Sequence, residues 1–88
     1  MIERARYAIL ITSTARKDIE KLSPSLRNKL KEILQEVVAR NPWEGKKLLG
    51  DLAGRYSYRL TYKDRIVYTI DESQRIVYIE RARTHYGD

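Results

Sequence analysis

The chain is 88 residues long, 42% hydrophobic, with 18 Lys and Arg against 12 Asp and Glu for a formal charge of +6, one histidine and no cysteine. This length supports one domain over residues 1–88 with a core just large enough to fold unaided, and the apolar fraction argues against disorder. The missing cysteines exclude a disulfide framework and thiolate metal sites, and one histidine builds no conventional zinc site, so the expectation is a domain with no cofactor and no metal.

Residues 6–12 (RYAILIT) form a short apolar, β-branched run that reads as a first, buried strand. Thr12, Ser13 and Thr14 offer N-caps for a short helix on which Ala15, Ile19 and Leu22 recur at helical spacing until Ser23-Pro24 interrupts it. Ser23 or Ser25 caps the next and longest element. There Leu26, Leu30, Ile33, Leu34, Val37 and Val38 mark one face, and Lys29, Lys31, Glu32 and Glu36 mark the other. Asn41-Pro42 ends that helix. Residues 43–54 then hold three of the four glycines and read as an irregular connection, with Trp43 as a loop anchor.

Strands follow from Tyr56. Tyr56, Tyr58, Leu60 and Tyr62 alternate with Ser57, Arg59 and Thr61, and further on Ile66, Tyr68 and Ile70 alternate with Arg65, Val67 and Thr69. Both apolar sets are even-numbered, so aligning their faces needs an even register sum, such as residue 61 opposite 65, and an odd-length loop around Tyr62, Lys63 and Asp64. Arg59 and Arg65 then share the opposite face. A two-residue turn at Lys63-Asp64 would split the arginines and expose half of the apolar residues. A third strand runs from Arg75 to about Arg81. Ile76, Val77, Tyr78 and Ile79 do not alternate, which leaves its facing unassigned.

The resulting order is β-α-α-β-β-β, an α+β domain with two N-terminal helices packed on one face of a mostly antiparallel four-stranded sheet. With the last strand antiparallel, Arg81, Arg83, His85 and Tyr86 come beside Arg59 and Arg65 as a basic cleft on the uncovered face. Such charge suits phosphate backbones or acidic protein partners. No apolar run approaches the roughly 20 residues of a membrane span, and the charged N-terminus lacks a signal-peptide shape, so the expected setting is cytoplasmic, away from any membrane.

Two segments, PWEGKKLLGDLAGRYSYRLTYKDRIVY (Pro42 to Tyr68) and RARTHYGD (Arg81 to Asp88), resemble the RelE/ParE superfamily of type II toxin-antitoxin systems, and within it RelE and YoeB. The resemblance implies a RelE-like fold and a ribosome-dependent, metal-independent mRNA endoribonuclease that inhibits translation. In that reaction the ribose 2′-hydroxyl attacks its own neighbouring phosphate. Carried over position by position, Arg59 and Arg65 bind the phosphate and stabilise the transition state, and His85 is a base or an acid. Tyr86 stacks on a splayed base or steers the histidine. Lys46, Lys47, Arg81 and Arg83 are RNA-contacting cations. The glutamate that YoeB places shortly before the hairpin has no clean counterpart, because the loop here offers Lys46, Lys47 and Asp51, with Glu44 lying earlier. The implied partners are a cognate antitoxin of the RelB/YefM kind and mRNA in the A site of the 70S ribosome. Two alternatives stand beside this reading: a ParE-like gyrase poison, and a catalytically inactive member that only binds its antitoxin. Without the resemblance, strand arginines are solvated or paired with carboxylates such as Asp64, and a C-terminal histidine is an ordinary surface residue.

Overall fold

β1 (Ala8–Ile11) is the apolar run near the N-terminus, and Thr12 ends it by capping α1 (Ser13–Glu20). The Thr12 hydroxyl accepts from the Ala15 amide at 3.1 Å and donates to the Ile79 carbonyl at 3.0 Å, so one side chain starts the helix and ties it to the last strand. Ser23 restarts the chain as α2 (Pro24–Ile33), its hydroxyl accepting from the Leu26 amide at 3.2 Å, with Pro24 in the first turn where its missing N–H costs nothing. Helical backbone continues through a wider turn at Leu34–Val38, where the Ala39 amide reaches the Leu34 carbonyl at 2.8 Å. The structure is a computed structural model that describes residues 6–84. Among the described residues no helix is long and apolar enough to cross a membrane.

Among the described residues the strands form a five-stranded sheet in the order β1-β5-β4-β3-β2, with β3 (Tyr56–Arg59), β4 (Asp64–Asp71) and β5 (Ile76–Thr84) at its centre. β1 runs parallel to β5, and every other pairing is antiparallel. The α+β order holds, but the expected four strands become five, because β2 (Lys46–Lys47) pairs with β3 inside the segment read as irregular. A strand of that length shows no alternation, so periodicity cannot reveal it. Gly45 seats it: a Cβ there would stand 2.8 Å from the Ser57 carbonyl oxygen and closer still to the Tyr68 hydroxyl.

Leu30, Leu34 and Val38 from the helical layer, with Ala15 and Leu22, bury against Ile66, Tyr68, Val77, Ile79 and Ala82 of the sheet and Leu60 of the hairpin loop. Each large side chain removed from water there contributes roughly 1.5–3 kcal/mol. The even-numbered residues of β3 and β4 do point at this core, as parity required, although Tyr62 sits exposed in the loop. Arg59 pairs with Arg65, two residues away from the example of 61 opposite 65, and a slip of two keeps every side chain on its face. Asp64 begins β4 rather than closing the loop, because the Leu60 amide bonds its carbonyl at 2.7 Å.

β5 explains why its sequence resists a facing. Tyr68 lies opposite Ile79 and Val67 opposite Arg81, so Glu80 is an extra residue, a β-bulge. Before the bulge the odd residues Val77 and Ile79 enter the core; after it Ala82 does, and Arg81 and Arg83 fall on the open face with Arg65 and Val67.

Candidate functional site

The open face of the sheet carries a cleft of about 460 Å³ lined by Val67 and by Arg55, Arg65, Arg81 and Arg83, together with Glu80, Leu52, Thr12 and Thr14. A smaller recess of about 140 Å³ lies beside it, lined by Lys46, Ser57, Arg59 and Arg65. Arg65 lines both, so the cations form one track from Lys46 through Arg59 and Arg65 to Arg83. The hairpin register creates this continuity, since Arg59 and Arg65 are direct partners and Arg65 in turn pairs with Arg83 on β5.

Of the residues singled out from sequence, the structure therefore brings together Lys46, Arg59, Arg65, Arg81 and Arg83. Lys47 departs from the group: it pairs with Tyr56 and so takes the opposite face from Lys46, which pairs with Ser57. His85 and Tyr86 lie outside the described residues.

Arg81 has a further partner. Its Nε donates to Asp18 Oδ2 at 2.8 Å and its guanidinium to Oδ1 at 3.2 Å, a two-point grip across 63 positions of sequence. The Ala82 amide donates to the same carboxylate at 3.0 Å. β1 covers β5 only from Ile76 to Ile79, so beyond that point Asp18 on α1 supplies the acceptor that a neighbouring strand would otherwise give. Burial disfavours charge on Asp18, but the Arg81 and Ala82 donors and the nearby Arg81 and Arg83 charges outweigh it and hold the carboxyl below its ordinary range.

Three residues of this region escape a reading by motif: Arg55, Asp18 and Glu80. Arg55 precedes β3 in the loop, and Asp18 lies on α1, where the helical spacing of Ala15, Ile19 and Leu22 says nothing of a partner for it. Glu80 sits at the bulge, and the loss of alternation over Ile76 to Ile79 is its only trace in the sequence. Chemically, a concave surface lined by four guanidinium forks favours a phosphodiester, which a fork meets through two oxygens.

Residues 9–87 match the family described as ParE-like toxin of type II bacterial toxin-antitoxin system. The chain is 38% identical over 78 residues to Toxin RelG of Mycobacterium tuberculosis, covering 86% of this chain and 87% of the relative. A chain of the toxin-antitoxin complex RelBE2 from Mycobacterium tuberculosis superposes with a TM-score of 0.84 at 33% identity, covering 91% of this chain and 99% of that one. A chain of the YoeB-YefM complex from Staphylococcus aureus gives 0.73 at 28% identity, over 93% and 100% of the two chains. Sequence and fold thus agree, and the chain belongs to the RelE/ParE superfamily of type II toxins.

Proposed function

We propose that this toxin is a metal-independent endoribonuclease that cuts mRNA in the A site of the 70S ribosome and so stops translation in the cytoplasm. The observation that carries this reading is the pairing of Arg59 with Arg65 and of Arg65 with Arg83, which lines up guanidinium groups along one open groove. In-line attack of a 2′-hydroxyl on the adjacent phosphate needs no protein nucleophile; it needs orientation, proton transfer and positive charge on the phosphorane. Arg59 and Arg65 supply that charge. Lys46 and Arg83 extend it along the strand of RNA, and His85 and Tyr86 complete the site as an acid-base group and a stacking or steering ring. Arg81 contributes its charge from a position anchored by Asp18.

A cognate antitoxin of the RelB/YefM kind is the second partner. RelBE2 and YoeB-YefM are toxin-antitoxin complexes, and their toxin folds superpose on this one. A defined mRNA set in purified bacterial ribosomes and mapped by primer extension tests the enzymatic reading. Wild type cuts in the A site, needs the ribosome, tolerates chelator, and weakens with His85→Ala. No cleavage of any RNA would refute it and turn the question to gyrase inhibition or to antitoxin binding alone.

A further inference from the structure

We infer that Glu80 is the proton acceptor for the attacking 2′-hydroxyl, an assignment that rests on the RNA-cleaving reading above. Among the described residues lining the large cleft, Glu80 is the one acid, and it shares the cleft with Arg55, Arg65, Arg81 and Arg83. A guanidinium stays protonated at any working pH and cannot take a proton. The loop acids Glu44 and Asp51 are exposed and line neither the cleft nor the recess beside it.

The bulge puts the carboxylate there. Because β5 has one residue more than β4 between the Tyr68–Ile79 and Val67–Arg81 pairs, Glu80 and Arg81 both project to the open face instead of one entering the core. Two hydroxyls then hold Glu80 from either side: Thr69 Oγ1 donates to its Oε2 at 3.2 Å, and Thr12 Oγ1 lies 3.4 Å from its backbone carbonyl. Among the described residues one neutral hydroxyl donates to the carboxylate, which keeps acceptor capacity for substrate. It is also half-buried rather than sealed. The cleft volume of about 460 Å³ falls within the roughly 300–1,000 Å³ of small-molecule sites, so a ribose and its phosphate occupy the same space as the acid.

The step balances without another reagent. The O2′–H bond breaks and its proton passes to the Glu80 carboxylate, while the freed electron pair forms the O2′–P bond. The P–O5′ bond breaks with its electrons on O5′, which takes a proton from water. The products are a 2′,3′-cyclic phosphate and a 5′-hydroxyl.

The test is single-turnover cleavage of mRNA in purified ribosomes by wild type and Glu80→Gln across the pH range ribosomes tolerate. Removing a general base lowers kcat by about 10²–10⁴-fold with KM near wild type. The variant's rate then rises in proportion to hydroxide, which replaces the missing base, and so depends on pH more steeply than the wild-type rate in the same range. Thr69→Val, which keeps the acid but removes the hydroxyl that aims it, loses a smaller factor. Melting temperatures of both variants stay at the wild-type value. A Glu80→Gln enzyme that is as fast as wild type, or slow without hydroxide dependence, or slow and destabilised, overturns the assignment while the RNA-cleaving reading survives. If wild type itself leaves the mRNA intact, the reading fails and Glu80 goes with it.

Discussion

The tie between Asp18 and β5 makes a stability prediction whose size follows from its parts. Asp18→Ala leaves the Ala82 amide without its acceptor in a place where Ala82 is 1% exposed, and an unmet buried donor costs about 1–3 kcal/mol. It also ends the grip on Arg81, whose side chain is 39% exposed, so water absorbs most of that loss and about 0.5–1 kcal/mol is expected from it. Alanine's better helix propensity returns up to about 0.7 kcal/mol, leaving a net cost of about 2 kcal/mol, or roughly 10 °C in Tm for a domain of this size. Arg81→Ala costs less, about 1 kcal/mol, because the Ala82 bond survives, and the double variant shows coupling of the same order. The pH dependence has a definite sign. The folded-state pKa of Asp18 lies below the ordinary value of 3.8, so its stabilisation is complete above that value and is lost as pH falls through the lower, folded one. Urea denaturation of wild type and Asp18→Ala across that acid range measures the gap directly. A gap that stays constant as pH falls, or a double-mutant coupling of zero, would refute the reasoning.

Gly45→Ala sets a Cβ 2.8 Å from the Ser57 carbonyl oxygen and costs about 1–3 kcal/mol through overpacking, seen as a lower denaturation midpoint; an unchanged midpoint would show that β2 shifts freely. Burial pushes the Tyr68 hydroxyl up to about 12, against a smaller opposing pull from the Gly45 amide. Its neutral form is thus favoured in the fold, so stability is intact below the ordinary tyrosine value of 10.0 and falls by on the order of 2–3 kcal/mol as pH rises toward the folded value. Tyr68→Phe, followed by alkaline titration of urea midpoints, removes that fall. In ribosomal cleavage assays Arg65→Ala loses about 10²-fold or more in kcat while binding of the cognate antitoxin persists; retained cleavage would remove Arg65 from the site.

Helices and hairpin were legible because each obeys one period. Leu26, Leu30, Leu34 and Val38 repeat at helical spacing, and the even-numbered residues of β3 and β4 repeat at two, so parity alone puts Arg59 and Arg65 on one face. The wider turn at Leu34–Val38 left no mark, since Leu34 and Val38 are buried with either hydrogen-bond pattern. β2 was hidden for a different reason: its two lysines are held by pairing with β3 and by the space that Gly45 leaves vacant, neither of which is a local property. The grip of Asp18 on Arg81 was out of reach because it joins residues whose proximity depends on α1 lying along the uncovered end of β5.

The bulge at Glu80 links fold to site more closely than any single arginine. Without an extra residue, the alternation that buries Val77 and Ile79 would carry Arg81 and Arg83 into the core beside Ile66, where unpaired guanidinium groups are intolerable. Inserting Glu80 changes the phase, sends Ala82 inward against the helical layer, and turns both cations to the open face opposite Val67 and Arg65. Beyond Ile79 β1 no longer pairs with β5, and Asp18 of α1 together with its N-cap Thr12 covers that edge. One added residue therefore places Glu80 in the cleft and reorients its cations. These two consequences explain why the apolar alternation of β5 breaks where the charged C-terminal segment begins.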